Sequence, residues 1–555
     1  MLRYYRGIFL AIVISKIFES LIKGRIEPDL SKINVLQAGS RTDRSAGDNV
    51  FLLRGCTDHY KSIKKPLYIT AYDYEQAFDS LWVEKCILSL KNLGVSKEML
   101  QLIYNMNKKA KVVVKTPYGT TTSFETDPIV KQGTVLGSAL CSSSTGEYCG
   151  VNKGVPIGTM MLSSLLYVDD VIDITTTLPD REEAHEQAVI FTKQNNLSLS
   201  GTKCYGLAMN TDISPPTLTI DDLKQVIPAE VIVYLGDLFN DKGNNDHLIQ
   251  DRVRRGTKAS ICISALIQET NLGMHEISVW LLLYRALFLS TVLFNSQTWS
   301  CLRQKDLDKL KVMQQKFLKK IVGVSSGTPN SFIFLELGVL PIEAEIHKRQ
   351  IMFLHRILSL PNDDPVAQML LNMIELDDQG ETNWWTQVKA LLPKYDLPCN
   401  LKEIKKNSFK HQVNKAISKA VLDELLGECS ALKKTSGVSY KSLQMQEYLS
   451  VMYPNQARLI FKSRCQTLDL KTQNTYKYSD NTICRKCDSH EETLEHIINC
   501  GLEECDHLNI NTKDLGEMSE QTINNITRVA NRIDTFYDDV SHFSNGLYTN
   551  LQVKD

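Results

Sequence analysis

Apolar and polar positions follow two rhythms along this chain, and the changes between them outline its elements. Ile14, Ile17, Phe18, Leu21 and Ile22 fall at helical spacing behind the apolar run Ile8–Ile14, which predicts an N-terminal helix ending near Gly24. Strand-forming runs follow. Leu67–Tyr72 reads as a buried strand with a helix starting near Asp79 and Ser80, and Ala110–Lys115 and Thr120–Thr126 flank TPYGTT as a hairpin. In LLYVDDVIDI, the residues Leu165, Leu166, Val168, Val171, Ile172 and Ile174 favour strands on either side of Asp169 and Asp170, which places the two aspartates at a tight hairpin turn. From about 245 to 350 the period becomes helical. Leu310, Met313, Phe317 and Ile321 make one stripe, Lys305, Lys309, Lys316 and Lys320 a second beside it, and Gly323 suits the C-cap. Further on, Asp363-Asp364-Pro365 and Asp377–Asn383 read as loops, and KEIKKNSFKHQVNKAISK as a basic amphipathic helix.

Composition narrows the picture only locally. A chain of 555 residues can bury several cores, so three or more structural units are expected. The formal charge of −1 is no global nucleic-acid signature, but residues 401–480 carry 14 Lys/Arg against 7 Asp/Glu, and 501–555 carry 4 against 10. The 14 cysteines form no compact disulfide framework, which points to a reducing, intracellular setting. The N-terminal apolar run is too short for a secretory signal and lacks a small-residue cleavage site. No segment reaches the roughly 18 apolar residues of a membrane span.

Two constellations carry chemistry. Adjacent carboxylates at Asp169 and Asp170 repel and are desolvated unless a cation lies between them; an Asp-rich surface turn is the plain alternative. Asp73, at the end of the Leu67–Tyr72 strand, could join them as a third carboxylate or cap the helix that follows. Gly133 and Gly137 in VKQGTVLG allow close backbone approach, and Gln132 offers both a donor and an acceptor, although such glycines commonly just make turns. Arg41 and Arg44 suit either phosphate contact or solvation. Near the C-terminus, Cys484, Cys487, His496 and Cys500 form C-x2-C-x8-H-x3-C, with His496 and Cys500 on one helix face, the donor set of a structural Zn²⁺. Cys505 and His490 are less regular substitutes.

The order DYEQAFDS, VKQGTVLG, YVDD resembles motifs A, B and C of reverse transcriptases. IFLAIVISKIFESLIKGRI with QAGSR ahead of them is similar to the non-LTR (LINE-type) retrotransposon branch, and NNLSLSGTKC and VIVYLGDLFN resemble its motifs D and E. The resemblance implies an α+β right-hand polymerase. Its expected parts are truncated fingers and a palm with an antiparallel sheet over 1–245, a helical thumb over 246–350, a helical basic connector over 351–480, a zinc knuckle over 481–507 and a weakly ordered acidic tail over 508–555.

What the resemblance implies for the site is specific. Asp73, Asp169 and Asp170 would hold two Mg²⁺ ions, and Lys203 would lie near the pyrophosphate. Arg6 would pair with the triphosphate, with Tyr167 beside the nucleotide and Gln132 and Gly133 against the nascent pair. Phe78 would exclude a ribose 2′-hydroxyl, unless it is a core phenylalanine. Template RNA, primer or target DNA and dNTPs are the implied partners, with no membrane, in the nucleus or a cytoplasmic ribonucleoprotein. The LINE-type pattern usually has more fingers sequence and an endonuclease ahead of the YRGI segment, so nicking activity is not expected here. A catalytically inactive, nucleic-acid-binding derivative is the alternative.

Overall fold

The computed structural model describes residues 8–108, 111–126, 130–269, 277–432, 435, 439–479, 481–501, 527–538 and 540. Arg6 and Cys505 lie outside them.

The first helix, α1 (Val13–Leu30), runs through Gly24 rather than stopping there. Ile14, Ile17, Phe18 and Leu21 face outward, while Glu19, Ile22, Ile26 and Leu30 are buried. Glu19 fixes this rotation: its Oε2 accepts from the backbone N–H of Val135 at 2.7 Å and of Leu136 at 3.2 Å. A carboxylate that satisfies otherwise orphaned donors just ahead of a helix outweighs the burial of one more leucine.

Next comes α2 (Ala46–Ser62), buried over most of its length, then β1 (Leu67–Tyr72), every residue of which is buried. The TPYGTT hairpin forms as expected, with Lys111 and Val112 pairing Glu125 and Phe124, and Lys115 and Thr116 pairing Thr120 and Gly119. After it come α3 (Gly137–Thr145), β2 (Ser164–Tyr167), β3 (Asp170–Thr175), α4 (Leu178–Gln194), β4 (Tyr205–Met209), β5 (Leu218–Asp221) and β6 (Lys224–Pro228). The six strands form one sheet in the order β5-β6-β4-β1-β3-β2, antiparallel except where β6 runs parallel to β4. The central strand β1 is buried along its whole length and β3 from Val171 onward, with the polar Thr70, Asp173 and Thr175 buried among their apolar neighbours. A separate hairpin, β7 (Val231–Tyr234) with β8 (Asp237–Asn240), ends this part.

Helices dominate the remainder: α5 (Asp246–Glu269), α6 (Gln304–Val322), α7 (Asn330–Leu337), α8 (Ile342–Leu358), α9 (Lys406–Ala431) and α10 (Leu494–Asn499). Helix α6 follows its sequence pattern, with Leu310, Met313, Phe317 and Ile321 buried, the four stripe lysines exposed and Gly323 as a left-handed C-cap. In α9, Phe409, Val413, Ile417 and Val421 face the core while Lys406, Lys410, Lys415 and Lys419 face solvent. The fold is therefore α+β.

One buried cluster runs from Leu36 and β1 through α6, α8 and α9 to Ile497 and Phe536, so the helical segments share a core with the sheet; a second lies beneath α1, α3 and α4. The tail requires a correction. Residues 527–538 are helical and bury Val529, Ala530, Ile533 and Phe536. Its Asn- and acid-rich composition hides four apolar positions at helical spacing, enough to dock a short helix. Every described cysteine is free, and no described helix is long and apolar enough to cross a membrane.

Candidate active site

The strand register brings the acidic residues together. Tyr72 pairs with Val171, so Asp73, stepping off β1, comes opposite Asp170, the first residue of β3. Asp170 in turn pairs with Tyr167, the last residue of β2, leaving Val168 and Asp169 as the two-residue turn. Val168 adopts φ +61°, a left-handed conformation that costs a β-branched residue about 1–3 kcal/mol. Something must hold it there. Gln37 does so with both ends of its amide, Oε1 accepting from Val168 N at 2.9 Å and Nε2 donating to Val168 O at 3.1 Å.

Asp73 is pinned from the other side by the segment around residue 200. Its carbonyl accepts from Ser200 N at 2.8 Å, and its carboxylate Oδ2 lies 3.3 Å from Lys203 Nζ. Asp73, Asp170, Lys203, Tyr205 and Tyr234 line a cavity of about 450 Å³ between the sheet and the β7–β8 hairpin. The carboxylates are felt behind them. Burial first, then Asp169, pushes the Cys141 thiol up, and burial with a contribution from Asp170 raises the Tyr234 hydroxyl. Hard oxygen donors from two strands, half-exposed at a cavity rim, suit a divalent cation. In the structure as it stands, the cation beside Asp73 is Lys203.

The remaining expected residues fall into place unevenly. Phe78 sits half-buried in the short helix Ala77–Ser80 and packs against the second core. Gln132 and Gly133 form the turn before α3, where Gln132 O accepts from Phe9 N at 2.9 Å and Gly133 has φ +95°. Arg41 and Arg44 are not free for phosphate. Arg41 donates to the carbonyls of Ser31, Ile33 and Asn34, and Arg44 is paired with Asp364.

The second constellation is compact. The ligand atoms of Cys484, Cys487, His496 and Cys500 all lie within 4.8 Å of one another. Cys484 Sγ is 3.9 Å from Cys500 Sγ, and Cys487 Sγ is 3.3 Å from His496 Nε2. Tetrahedral zinc with bonds of about 2.3 Å to sulfur spaces its sulfurs about 3.8 Å apart, so this set could hold the ion. It is braced from outside: Glu492, fully buried, accepts from Arg485 N at 2.9 Å, Arg485 Nη2 at 2.6 Å and Lys471 N at 3.0 Å.

Residues 2–236 match the family described as reverse transcriptase (RNA-dependent DNA polymerase). This stretch, less than half of the chain, is similar to that family. It contains both strands of the acidic hairpin and the whole six-stranded sheet. The chain is also 25% identical over 248 residues to a Xenopus laevis protein named Transposon TX1 uncharacterized 149 kDa protein, covering 42% of this chain and 18% of that protein. The chain thus spans less than a fifth of the curated relative's length. Both matches agree with the resemblance to non-LTR retrotransposon reverse transcriptases carried by the motifs. Among solved structures, apo telomerase from Candida tropicalis aligns at 13% identity and a TM-score of 0.34, covering 72% of this chain and 59% of that one. Telomerase from Candida albicans, in complex with a TWJ fragment of telomeric RNA, aligns at 12% identity and a TM-score of 0.29, covering 64% of this chain and 57% of that one.

Two contributors to the site are not apparent from motif spacing alone. Gln37 lies within the QAGSR segment but far from the aspartates in sequence, and Thr145, at the end of α3, shares its contact with Val168. The alternation of the acidic run gives the hairpin, but nothing in that run says what restrains its turn.

Proposed function

We propose that this chain is an RNA-directed DNA polymerase of a non-LTR retrotransposon, extending a primer 3′-hydroxyl with dNTPs on an RNA template. The observation that carries this reading is the register that sets Asp73 opposite Asp170 beside the Asp169 turn, within the stretch matching the reverse transcriptase family. Asp73, Asp169 and Asp170 would hold two Mg²⁺ ions. When bound, such ions lower the pKa of an attacking hydroxyl and neutralise triphosphate charge. The protein's own part is placement. The β1 end and the turn fix the carboxylates, and the cavity admits the primer end and nucleotide.

Lys203 Nζ, beside Asp73, would donate to the departing pyrophosphate. Phe78 would press on the sugar to exclude a 2′-hydroxyl, Tyr167 would flank the nucleotide, and Gln132 and Gly133 would contact the nascent pair. Arg6 would pair with the triphosphate. The exposed lysines of α6 and α9 supply phosphate contacts that do not read sequence. The four-ligand cluster would take one structural Zn²⁺.

Primer extension on an RNA template, with the double substitution Asp169→Asn, Asp170→Asn as control, tests the reading. Mg²⁺-dependent dNTP incorporation abolished by the substitution supports it; equal incorporation by both proteins removes these residues from the mechanism. Salt-dependent RNA binding without extension would favour the binding-only alternative.

A further inference from the structure

The structure assigns to Gln37 the role of a positioning residue that presets the carboxylate turn, a role that rests on reading Asp169 and Asp170 as cation-holding groups. Gln37 is fully buried, at 0% exposure. Its amide offers two acceptor sites and two donors, and all four are used within this locality. Oε1 accepts from Val168 N and Gly39 N, each at 2.9 Å, and Nε2 donates to Val168 O at 3.1 Å and Thr145 Oγ1 at 2.9 Å. The Thr145 hydroxyl also lies 2.7 Å from the Val168 carbonyl.

The main chain reinforces the clamp. Leu166 N donates to Leu36 O at 3.0 Å and Ala38 N to Leu166 O at 2.9 Å, so residues 36–38 run alongside β2 as a short parallel partner. Asn49 Nδ2 adds a bond to Leu166 O at 2.8 Å. Gly39 completes the seat because a Cβ there would meet Val168 N at 2.3 Å and Val168 Cγ2 at 2.6 Å.

The strain to be held lies at Val168 itself. A valine relaxes to negative φ when nothing holds it, and that rotation would re-aim Asp169, the next residue, relative to Asp170 and Asp73. A glutamine that pairs with both backbone groups of this one residue acts on the turn rather than on the core in general. Groups that orient metal-holding side chains without touching the ion typically alter cation affinity by about 10- to 100-fold.

Two substitutions approach the clamp from opposite sides. Gln37→Met keeps the volume and removes the amide, whereas Gly39→Ala keeps Gln37 and pushes on Val168. Hydrogen exchange of the peptide spanning 164–170 reads the turn directly, and a Mg²⁺ titration of primer extension reads its use. In both variants the Val168 amide should exchange at least about tenfold faster. The Mg²⁺ concentration for half-maximal extension should rise about tenfold with the KM for primer–template unchanged. Unchanged exchange at Val168, or a fall in extension that no added Mg²⁺ restores, overturns the proposal. If the wild-type protein extends no primer, the polymerase reading fails on its own, and the exchange measurement still decides whether Gln37 holds the turn.

Discussion

Arg464, within the segment expected as the basic connector, is buried against Glu336 of α7, its Nε and Nη2 each 2.9 Å from Glu336 Oε1. Tyr448 OH donates to Glu336 Oε2 at 2.5 Å and Tyr440 OH to Oε1, so one carboxylate ties three side chains of residues 440–464 to the helical unit before them. Taking one partner from a buried pair strands the other's charge, at a cost of about 3–5 kcal/mol. Arg464→Met should therefore lower the urea midpoint clearly. Adding Glu336→Gln, which removes the stranded charge and keeps one acceptor oxygen for the tyrosines, should recover part of the loss. A single variant as stable as wild type would show that the pair contributes little.

A pH dependence is expected from Asp173. Burial pushes its carboxyl up to about 7, against hydrogen bonds from Tyr148 OH at 2.6 Å and Ser164 Oγ at 2.7 Å that pull it down. Between its unfolded value near 4 and about 7 the folded state binds the extra proton, so stability falls as pH rises through that window, by at most about 4 kcal/mol, and then levels off. Asp173→Asn should flatten this slope. Thermal midpoints of both proteins at pH 5 and pH 8 provide the comparison, and an undiminished slope in the variant would assign it to other groups.

Zinc content offers a third check. The purified protein should carry about one zinc per chain, and Cys487→Ser should reduce that sharply. Leu494, Ile497 and Ile498 belong to the main buried cluster, and Arg485 contacts Tyr478 and the ring of Phe536. Chelation should therefore raise hydrogen exchange in 468–478 and 527–538 as well as in the knuckle. Exchange changes confined to 484–500 would contradict that coupling.

The lysines of α6 yield a nucleic-acid prediction. Lys309, Lys316 and Lys320 are exposed on a helix whose opposite stripe is buried. Replacing all three with glutamine should weaken primer–template binding regardless of sequence and reduce the salt slope by up to about 3. An unchanged slope would place the duplex elsewhere.

How much of this was legible beforehand varies with how local the determinant is. The β2–β3 hairpin, the Asp73 strand end, the α6 stripes and the four zinc-site ligands follow from periodicity and spacing, because each is fixed by residues within a few positions of one another. The existence of helix α1 follows from its spacing, but which face it buries does not, since its rotation depends on Glu19 meeting the amides of Val135 and Leu136, more than a hundred residues on. The choice between phosphate contact and solvation for Arg41 and Arg44 stayed open for the same reason: their partners, the carbonyls just past α1 and Asp364, are set by tertiary contact. The 527–538 helix was masked by average composition.

The strip formed by residues 36–38 has a bearing on how the protein behaves in concentrated solution. By pairing with Leu166 it occupies hydrogen-bonding groups along the outer strand β2, which would otherwise invite a strand from another molecule. At the far margin, β5 ends in Asp221, followed by Asp222, both exposed. One flank is shut by the chain's own backbone and the other is guarded by repulsive charge, two separate defences against intermolecular sheet growth.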